Sequence, residues 1–369
     1  VLGHDSLWAT TRGLPKKVVT ATALVYFLTI LMQPKKTQMK RIPKVSLLLT
    51  LPVLVIIGCS KGTQDQKTSD QRLLPPSSGT HSELLLVMPD DLWEGEPGEL
   101  FRTYYLADQE GLPQPEPYFG VSRVEPKDVN KTLQMAKSIL WVEKSDTSFI
   151  KMQKDVWARP QRLARITAPT TEALSAAIKA SADQLMGAYK EHDMELIQAR
   201  LKRSAYAYTH ENLKDIGIKS MLLHKGFDPT LDKEEIKIFA TKTIRTIQYL
   251  VVSSRPMPEG MVSVDDIIAH RDSIGKNYFE GTFEGSYMAT ELMIPPTITN
   301  TTISGMYALE TRGLWRMNGD FMGGPFLSYS IYDEKNNRIL TVESVLYGPQ
   351  AKKRNVMLEM EAMMRSIVL

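Results

Sequence analysis

The sequence predicts an α+β fold with mixed or antiparallel sheets and packed helices. Short apolar runs bounded by turn-forming residues, at 84–88 and 249–252, are typical of buried strands. Residues 171–203 instead carry apolar side chains at helical spacing, which indicates one long helix. Because strands and helices recur in a similar order before and after residues 205–215, we interpret the chain as two related halves.

The elements of the first half follow from these patterns in chain order. Strands are predicted at 84–88, 118–124, 140–142, 149–156 and 162–166. A helix is expected to begin at the turn-forming residues 89–91, and Asp128 is suited to cap another that runs to Ile139. The long helix at 171–203 closes this half.

The second half is predicted to be richer in strands. Strand-like runs lie at 216–223, 236–240, 249–252, 304–310, 325–332 and 339–347, with a helix at 264–270. The polar residues 333–337 have the length and composition of a hairpin loop. A final helix is indicated by apolar residues that share one face: Val356, Met360, Met363, Met364 and Ile367.

Cys59 is the only cysteine among the 369 residues, and it follows a basic stretch and a short apolar run. Basic segment, apolar segment and small residue, in that order, make a secretory signal peptide. Because Cys59 directly follows Ile56-Ile57-Gly58, we interpret residues 39–58 as a lipoprotein signal peptide and Cys59 as the lipidation site. A plain membrane anchor and an ordinary cleaved signal are the alternatives.

Residues 1–38 stand before Met39, which is placed correctly to start such a signal. They include an apolar run at 18–32, which is shorter than the ~17 residues needed to span a bilayer. We expect residues 1–38 to be an upstream extension of the reading frame, and the alternative is an extra membrane segment.

The mature chain divides into a tether and a globular part. Residues 59–82 are polar and then rich in Pro, Ser and Gly, which predicts a flexible tether. The N-terminal α+β half is predicted at residues 83–205 and the C-terminal α+β half at residues 206–369.

Composition sets limits on the class of protein. Charged residues make up 24% of the chain and hydrophobic residues 43%, which is ordinary for a globular protein. The formal net charge is +3, and no basic run is interleaved with aromatic residues, so nucleic acid is not an expected partner.

The most unusual segment of the globular part is 312–326, which combines Trp, two arginines, four glycines and an Asn/Asp pair. Glycine lets a backbone approach a ligand closely, and Arg beside Trp is suited to a planar anion. The candidate ligand or partner surface therefore consists of Arg312, Trp315, Arg316 and Asp320. The alternative is a tight turn with Trp315 anchored in the core.

Other candidate motifs are weaker. His270-Arg271-Asp272 matches the tripeptide of a kinase catalytic loop, but no glycine-rich nucleotide loop or D-F-G accompanies it. Asp266 and His270 are four residues apart on a predicted helix and could ligate a metal or relay a proton, although a solvated ion pair is the simpler interpretation. Ser286 lacks the second glycine of a G-x-S-x-G elbow. We assign no catalytic residue, metal ligand or cofactor.

Eight short motifs are distributed over the chain after Cys59: LVMPDDLW at 86–93, GLPQ at 111–114, KDVWA at 154–158, HRDS at 270–273, GSYM at 285–288, RGLW at 312–315, GGPF at 323–326 and NNR at 336–338. With the signal-like segment that ends at Cys59, they resemble a Bacteroidetes lipoprotein family known as domain of unknown function 4837. The resemblance implies an envelope location and an α+β architecture, and it implies no activity.

We therefore expect a lipid-anchored cell-envelope protein that acts as a binding or assembly module. Its expected partners are the membrane, through lipidated Cys59, and an envelope protein. The expected location is the outer membrane, at its periplasmic face or at the cell surface. The alternative function is an envelope hydrolase with a site near 312–326 that includes Asp266, His270 or Asp272.

Overall fold

The chain folds into two β-sheets, and one long helix packs on both of them. The computed structural model describes residues 74–204, 211–260 and 262–369. One sheet has five strands and the other eight, and helices pack on both, which confirms the predicted α+β fold. Cys59, the signal segment 39–58 and residues 1–38 lie outside the described residues.

The first sheet is mostly parallel. Its order is β2-β1-β3-β5-β4, and only β4 runs antiparallel to its neighbour. The strands are β1 (Glu83–Val87), β2 (Gly120–Val124), β3 (Ser138–Lys144), β4 (Phe149–Lys154) and β5 (Arg162–Ala168). The helices before the long one are α1 (Asp90–Trp93), α2 (Glu96–Tyr105) and α3 (Lys131–Gln134).

The second sheet is antiparallel throughout, with the order β10-β11-β12-β13-β8-β7-β6 and with β9 paired to β11. Its strands are β6 (Asp228–Asp232), β7 (Ile236–Lys242), β8 (Ile247–Pro256), β9 (Tyr287–Thr290), β10 (Thr297–Ile303), β11 (Met306–Asn318), β12 (Gly323–Asp333) and β13 (Arg338–Tyr347). The mostly parallel first sheet and the antiparallel second sheet have different strand topologies. The expectation of two related halves is therefore wrong.

The long helix α4 (Thr171–Arg203) was predicted at these bounds, and it contributes to two hydrophobic cores. Thr170 caps it, because the Thr170 Oγ1 accepts a hydrogen bond from the Ala173 backbone N–H at 3.2 Å. Its N-terminal two thirds pack on the first sheet, and Met194, Ile197 and Leu201 pack in the core of the second. Helices α5 (Glu211–Asp215), α6 (Val264–Tyr278) and α7 (Arg354–Met364) follow.

Alternate residues of the second sheet face different helices. On one face, Val251 and Phe326 belong to the core that α6 covers. On the other, Val252 and Leu327 pack with the methionines of α7. Because both faces are covered, the central strands are buried almost continuously.

Three local expectations are corrected. The helix predicted from Asp128 to Ile139 is only α3, capped by Asn130, because residues from Ser138 onward join the first sheet. Residues 216–223 form no strand, and their apolar side chains instead fill the core beside α7. Residues 74–82, expected in the tether, are held against the first sheet by bonds such as Ser78 N–H to Met135 O at 2.8 Å.

Candidate functional site

The segment 312–326 forms strands where a connection was expected. Most of it lies in β11 and β12, and the turn between them is confined to residues 319–322. Trp315 is 4% exposed, as expected for a core anchor, and its Nε1–H donates to the Leu346 carbonyl at 3.1 Å. Trp315 is therefore a core residue rather than part of an exposed surface.

The glycines of this segment serve close packing within the sheet. A Cβ on Gly313 would lie 2.9 Å from both the Phe326 ring and the Pro296 side chain. A Cβ on Gly324 would overlap the Leu346 carbonyl oxygen. In the turn, Gly319 adopts φ +81°, which favours glycine.

Arg316 and Asp320 lie apart from Arg312. The Arg316 side chain is half exposed, with its Nε 3.8 Å from a Glu291 carboxylate oxygen. The Asp320 carboxylate accepts backbone N–H bonds from Thr282 at 2.8 Å and Phe321 at 2.7 Å, which ties two loops together. The four predicted surface residues thus do not form one site.

Arg312 lies at the centre of a charged cluster on the opposite face of β11 from Trp315, since odd and even positions of a strand alternate. Its Nε donates to Glu310 at 2.6 Å, and its Nη2 donates to Glu361 on α7 at 2.8 Å. The other Glu361 oxygen accepts from the Tyr329 hydroxyl at 3.1 Å. The cluster therefore connects β11, β12 and α7.

Beside this cluster is a cavity of about 230 Å³, which we call the Arg312 cavity. Its walls come from the loop before β2, from α4, from β10 and β11, and from α7. The principal lining side chains are Tyr118, Lys190, Thr297, Glu310, Arg312 and Glu361. The cavity thus lies where the segments of the first sheet meet those of the second.

The loop 107–118 closes one side of the cavity and docks on α7. The Glu116 carboxylate accepts the backbone N–H groups of Lys353 at 2.7 Å and Arg354 at 3.0 Å, at the N-terminus of α7. An acidic side chain is favourable there because it pairs with free N–H groups and the helix dipole. Gly111 adopts φ +75°, and a Cβ on it would lie 3.2 Å from the Arg312 Cβ, so the loop packs directly on β11.

Lys190 is the unusual group of the cavity. Its Nζ lies 3.5 Å from the centre of the Tyr118 ring, a cation–π contact. Among the described residues, no carboxylate lies within ion-pair distance of this ammonium. Burial, and secondarily the positive charge of Arg312, lower the pKa of Lys190 to about 8.

Glu361 of the cluster is held ionised despite its burial. Burial acts to raise the pKa of Glu361, but Arg312 and Arg365 hold it below the ordinary value. Burial likewise opposes the charge of Arg312, while Glu361 and Glu310 raise its pKa further above the ordinary range. Arg312 therefore stays protonated and neutralised, whereas the charge of Lys190 changes near neutral pH.

The tripeptide His270-Arg271-Asp272 lies on α6, against the other face of the second sheet. Asp266 does not pair with His270, because its carboxylate caps α6 by accepting from the Ser263 N–H at 2.9 Å. Asp272 accepts from the Thr290 N–H at 2.7 Å. These two carboxylates are thus used within the fold.

His270 instead contacts a serine under α6. Its Nε2 is 3.1 Å from the Ser253 Oγ, and Ser253 is 3% exposed. Burial, with a contribution from Arg255, lowers the pKa of His270 to about 4, so the imidazole is neutral at neutral pH. A neutral imidazole beside a hydroxyl is a nucleophile–base arrangement.

Arg271 and Glu343 form a buried ion pair next to His270, with 3.0 Å between Nε and Oε1. The Arg271 guanidinium also lies 3.8 Å from the centre of the Phe326 ring. Burial raises the pKa of Glu343 to about 7, although Arg271 opposes this shift.

Ser286 is buried and donates to the Phe283 carbonyl within its own loop, which is a structural role.

Sequence reasoning identified Arg312 but missed the other principal cavity residues. Lys190 lies in a helix whose pattern predicts only packing, and Glu361 lies among the core methionines of α7. The one local signal was a carboxylate, Glu361, between apolar positions of an amphipathic helix. Tyr118 follows a proline-rich loop and carries no motif.

Two further observations concern metals and membranes. Among the described residues, no group of three or more His, Cys, Asp or Glu side chains could hold a metal ion. No helix in the described part of the chain is both long enough and apolar enough to cross a membrane.

Two family models match the chain. Residues 220–366 match Domain of unknown function (DUF4837). Residues 77–202 match a second model, Domain of unknown function (DUF8532). The resemblance to domain of unknown function 4837 is thus confirmed for residues 220–366, whereas the first half is matched by a different model. No curated protein matches the chain.

Proposed function

We propose that this chain is a lipid-anchored cell-envelope protein that acts as a binding or assembly module through the Arg312 cavity. The anchoring part rests on the signal-like segment 39–58 and Cys59, and on the resemblance to a Bacteroidetes lipoprotein family. The binding part rests on one observation: the Lys190 ammonium faces the cavity, and no carboxylate of the described residues lies within ion-pair distance of it.

Intact-mass analysis tests the anchor. A mature chain that begins at Cys59 and carries acyl groups is expected in the membrane fraction. Cys59→Ser should abolish acylation while the globule still folds, because the described core begins after residue 73. A chain that keeps residues 1–58 and no lipid would contradict the proposal.

The position after the lipidated cysteine supports an outer-membrane location. Ser60 stands where an Asp is the usual inner-membrane retention signal in enterobacteria. We propose the periplasmic face or the cell surface. Density fractionation that places the protein wholly in the inner membrane would contradict this location.

Selective acylation tests the cavity. At pH 8 about half of the Lys190 amines are neutral, so an N-hydroxysuccinimide ester should acylate Lys190 readily in the purified protein. In intact envelopes, an occupant of the cavity is expected to protect Lys190 and to leave Lys179, which is exposed on the same helix, as reactive as before. Equal labelling of Lys190 in both preparations would contradict a role for this cavity in binding.

A second candidate function is hydrolysis, and the Ser253–His270 contact is the observation that favours it. A hydrolase would need the Ser253 hydroxyl to attack substrate with His270 as the base. A fluorophosphonate probe tests this directly. Labelling that is lost in Ser253→Ala would support the hydrolase, and no labelling of the folded protein would favour the binding module.

A further inference from the structure

The turn between β7 and β8 presents an isoleucine to solvent. Ile244 has a relative exposure of 105%, and it stands between the exposed cations Lys242 and Arg245. The turn is ordered, because the Thr243 Oγ1 accepts the Arg245 N–H at 3.2 Å and the Thr246 N–H at 2.9 Å. The apolar tip is therefore held outward by local hydrogen bonds.

A second apolar tip lies at the same end of the sheet. Phe321, in the turn between β11 and β12, has a relative exposure of 103%. The two turns are on the same end because Tyr347 of β13 pairs with Ile247 next to the first turn, while Trp315 reaches the Leu346 carbonyl from β11. At about 4.8 Å per strand spacing, the two tips are roughly 14 Å apart.

Three cations lie near Ile244, while the carboxylates of Asp228 and Glu280 line an adjoining concave surface with Lys242. Among the described residues, Lys242, Arg245 and Lys352 form no ion pair, and all three are exposed. Gln350 lines one concave surface together with Ile244, and Lys352 lines another together with Ser78. The cations thus extend from the hairpin to the segment by which the chain enters the globule.

We propose that this end of the second sheet docks on an anionic lipid bilayer, with Ile244 in the interface and Lys242, Arg245 and Lys352 against the headgroup phosphates. Apolar tips flanked by cations are the combination that binds such an interface. A lipid occupant is favoured because the three cations form no ion pair within the described part of the chain and because the surface adjoins the segment by which the chain enters the globule. The proposal rests on the lipid anchor at Cys59.

The tether is long enough to allow this orientation. Between Cys59 and Leu74 an extended chain of ~3.5 Å per residue would reach roughly 50 Å, and a flexible coil would span roughly 20 Å. The anchor therefore keeps the globule near the bilayer without fixing its orientation. The surface formed by Ile244, Lys242, Arg245 and Lys352 would supply the second contact with the bilayer, which fixes the orientation of the globule.

A fluorescent label in the full chain tests the proposal. Because Cys59 is the only cysteine, its lipidation leaves Ile244→Cys as the one free thiol for a nitrobenzoxadiazole dye. The lipidated protein is reconstituted in vesicles of phosphatidylcholine with one third phosphatidylglycerol. Lys335→Cys, exposed in the β12–β13 hairpin at the opposite end of the sheet, is the matched control.

The dye at 244 is expected to shift its emission to the blue and to be shielded from iodide, and the dye at 335 is not. Lys242→Ser and Arg245→Ser should each weaken this shielding, by about fivefold in the docking equilibrium per cation removed. The same should follow when phosphatidylglycerol is omitted.

Three outcomes would overturn the proposal. If the protein floats with the vesicles while the dye at 244 stays as accessible as that at 335, docking fails and the lipid anchor stands. If the protein without an engineered cysteine reacts with the dye and does not float, both the anchor and the docking fail. If shielding at 244 appears only on addition of envelope proteins, the surface binds a protein.

Discussion

Arg312 on β11 and Glu361 on α7 form an interior ion pair, with 2.8 Å between Nη2 and Oε2. On the outer side of the same helix, Glu359 and Arg200 form a pair of the same length. The Glu361 side chain is 11% exposed and that of Glu359 is 40% exposed. Because the two ion pairs have the same length and differ in exposure, comparing them shows how burial alone changes the contribution of an ion pair to stability.

Glu361→Ala is expected to lower the free energy of unfolding by about 3–5 kcal/mol, because Glu310 is then the one carboxylate among the described residues that still pairs with the buried Arg312. Glu359→Ala is the control and should change it by about 0.5 kcal/mol or less, as for an exposed pair. Urea denaturation of both variants gives the comparison. Equal losses of unfolding free energy in the two variants would show that the interior pair stabilises the fold no more than the exposed pair does.

Trp315→Ala is expected to cost about 3–5 kcal/mol, since it removes a buried aromatic side chain and its bond to the Leu346 carbonyl. Arg316→Ala, at the next position of β11, should stay within about 0.5 kcal/mol because its side chain is half exposed. Chemical denaturation provides the measurement. A nearly silent Trp315→Ala would mean that this side chain does not anchor the core.

Lys190→Met is expected to stabilise the protein at pH 7 by about 1–3 kcal/mol, because the folded state disfavours the charged amine. Between pH 8 and about 10.4 the unfolded chain binds a proton that the folded protein has released. The stability of the wild type therefore rises with pH across this window, and its deficit relative to Lys190→Met disappears.

Lys179→Met, at an exposed position of α4, is the matched control for Lys190→Met. Its stability should follow that of the wild type across the same window. Unfolding free energies measured from pH 7 to 10.5 decide the matter. A constant difference between Lys190→Met and the wild type would show that the pKa of Lys190 is ordinary.

Glu343 should make the free energy of unfolding fall as pH rises, opposite to the effect of Lys190. Its pKa in the fold is about 7 and thus above the ordinary 4.5, so the folded protein retains a proton that the unfolded chain releases. Its contribution to stability is present below pH 4.5 and is lost as pH rises to 7, by about 2–3 kcal/mol. The difference between wild type and Glu343→Gln, measured from pH 4 to 8, isolates this contribution from other groups. Glu334→Gln, in the exposed hairpin, should show no such change.

The sequence predicted the elements whose patterns are long or sharply bounded. The helix at 171–203 was correct at both ends because a capping Thr170 precedes a long helical period. The strands at 325–332 and 339–347 were recognised from the polar loop between them. The strand expected at 216–223 failed because apolar residues in an irregular segment that fills a core have no period to distinguish them from a strand.

The candidate site was harder to predict because its parts are far apart in the chain. Tyr118, Lys190, Arg312 and Glu361 come together only when the two sheets and α4 are in place. Arg312 was found through its unusual neighbours Gly313 and Trp315, yet those neighbours serve packing on the other face. Local composition thus drew attention to a residue that lines the cavity, on grounds unrelated to the cavity.

The ranges of the two family matches do not coincide with the hydrophobic cores, because the long helix α4 contributes to both cores. One family match ends at residue 202 and the other begins at 220, so each could be taken as a separable module. Met194, Ile197 and Leu201 nevertheless belong to the core beneath the second sheet. A fragment cut at residue 202 would carry that apolar stripe into water, and a fragment starting at 220 would lack it. Neither fragment has a complete hydrophobic core, so the two matched segments are expected to unfold as one cooperative unit.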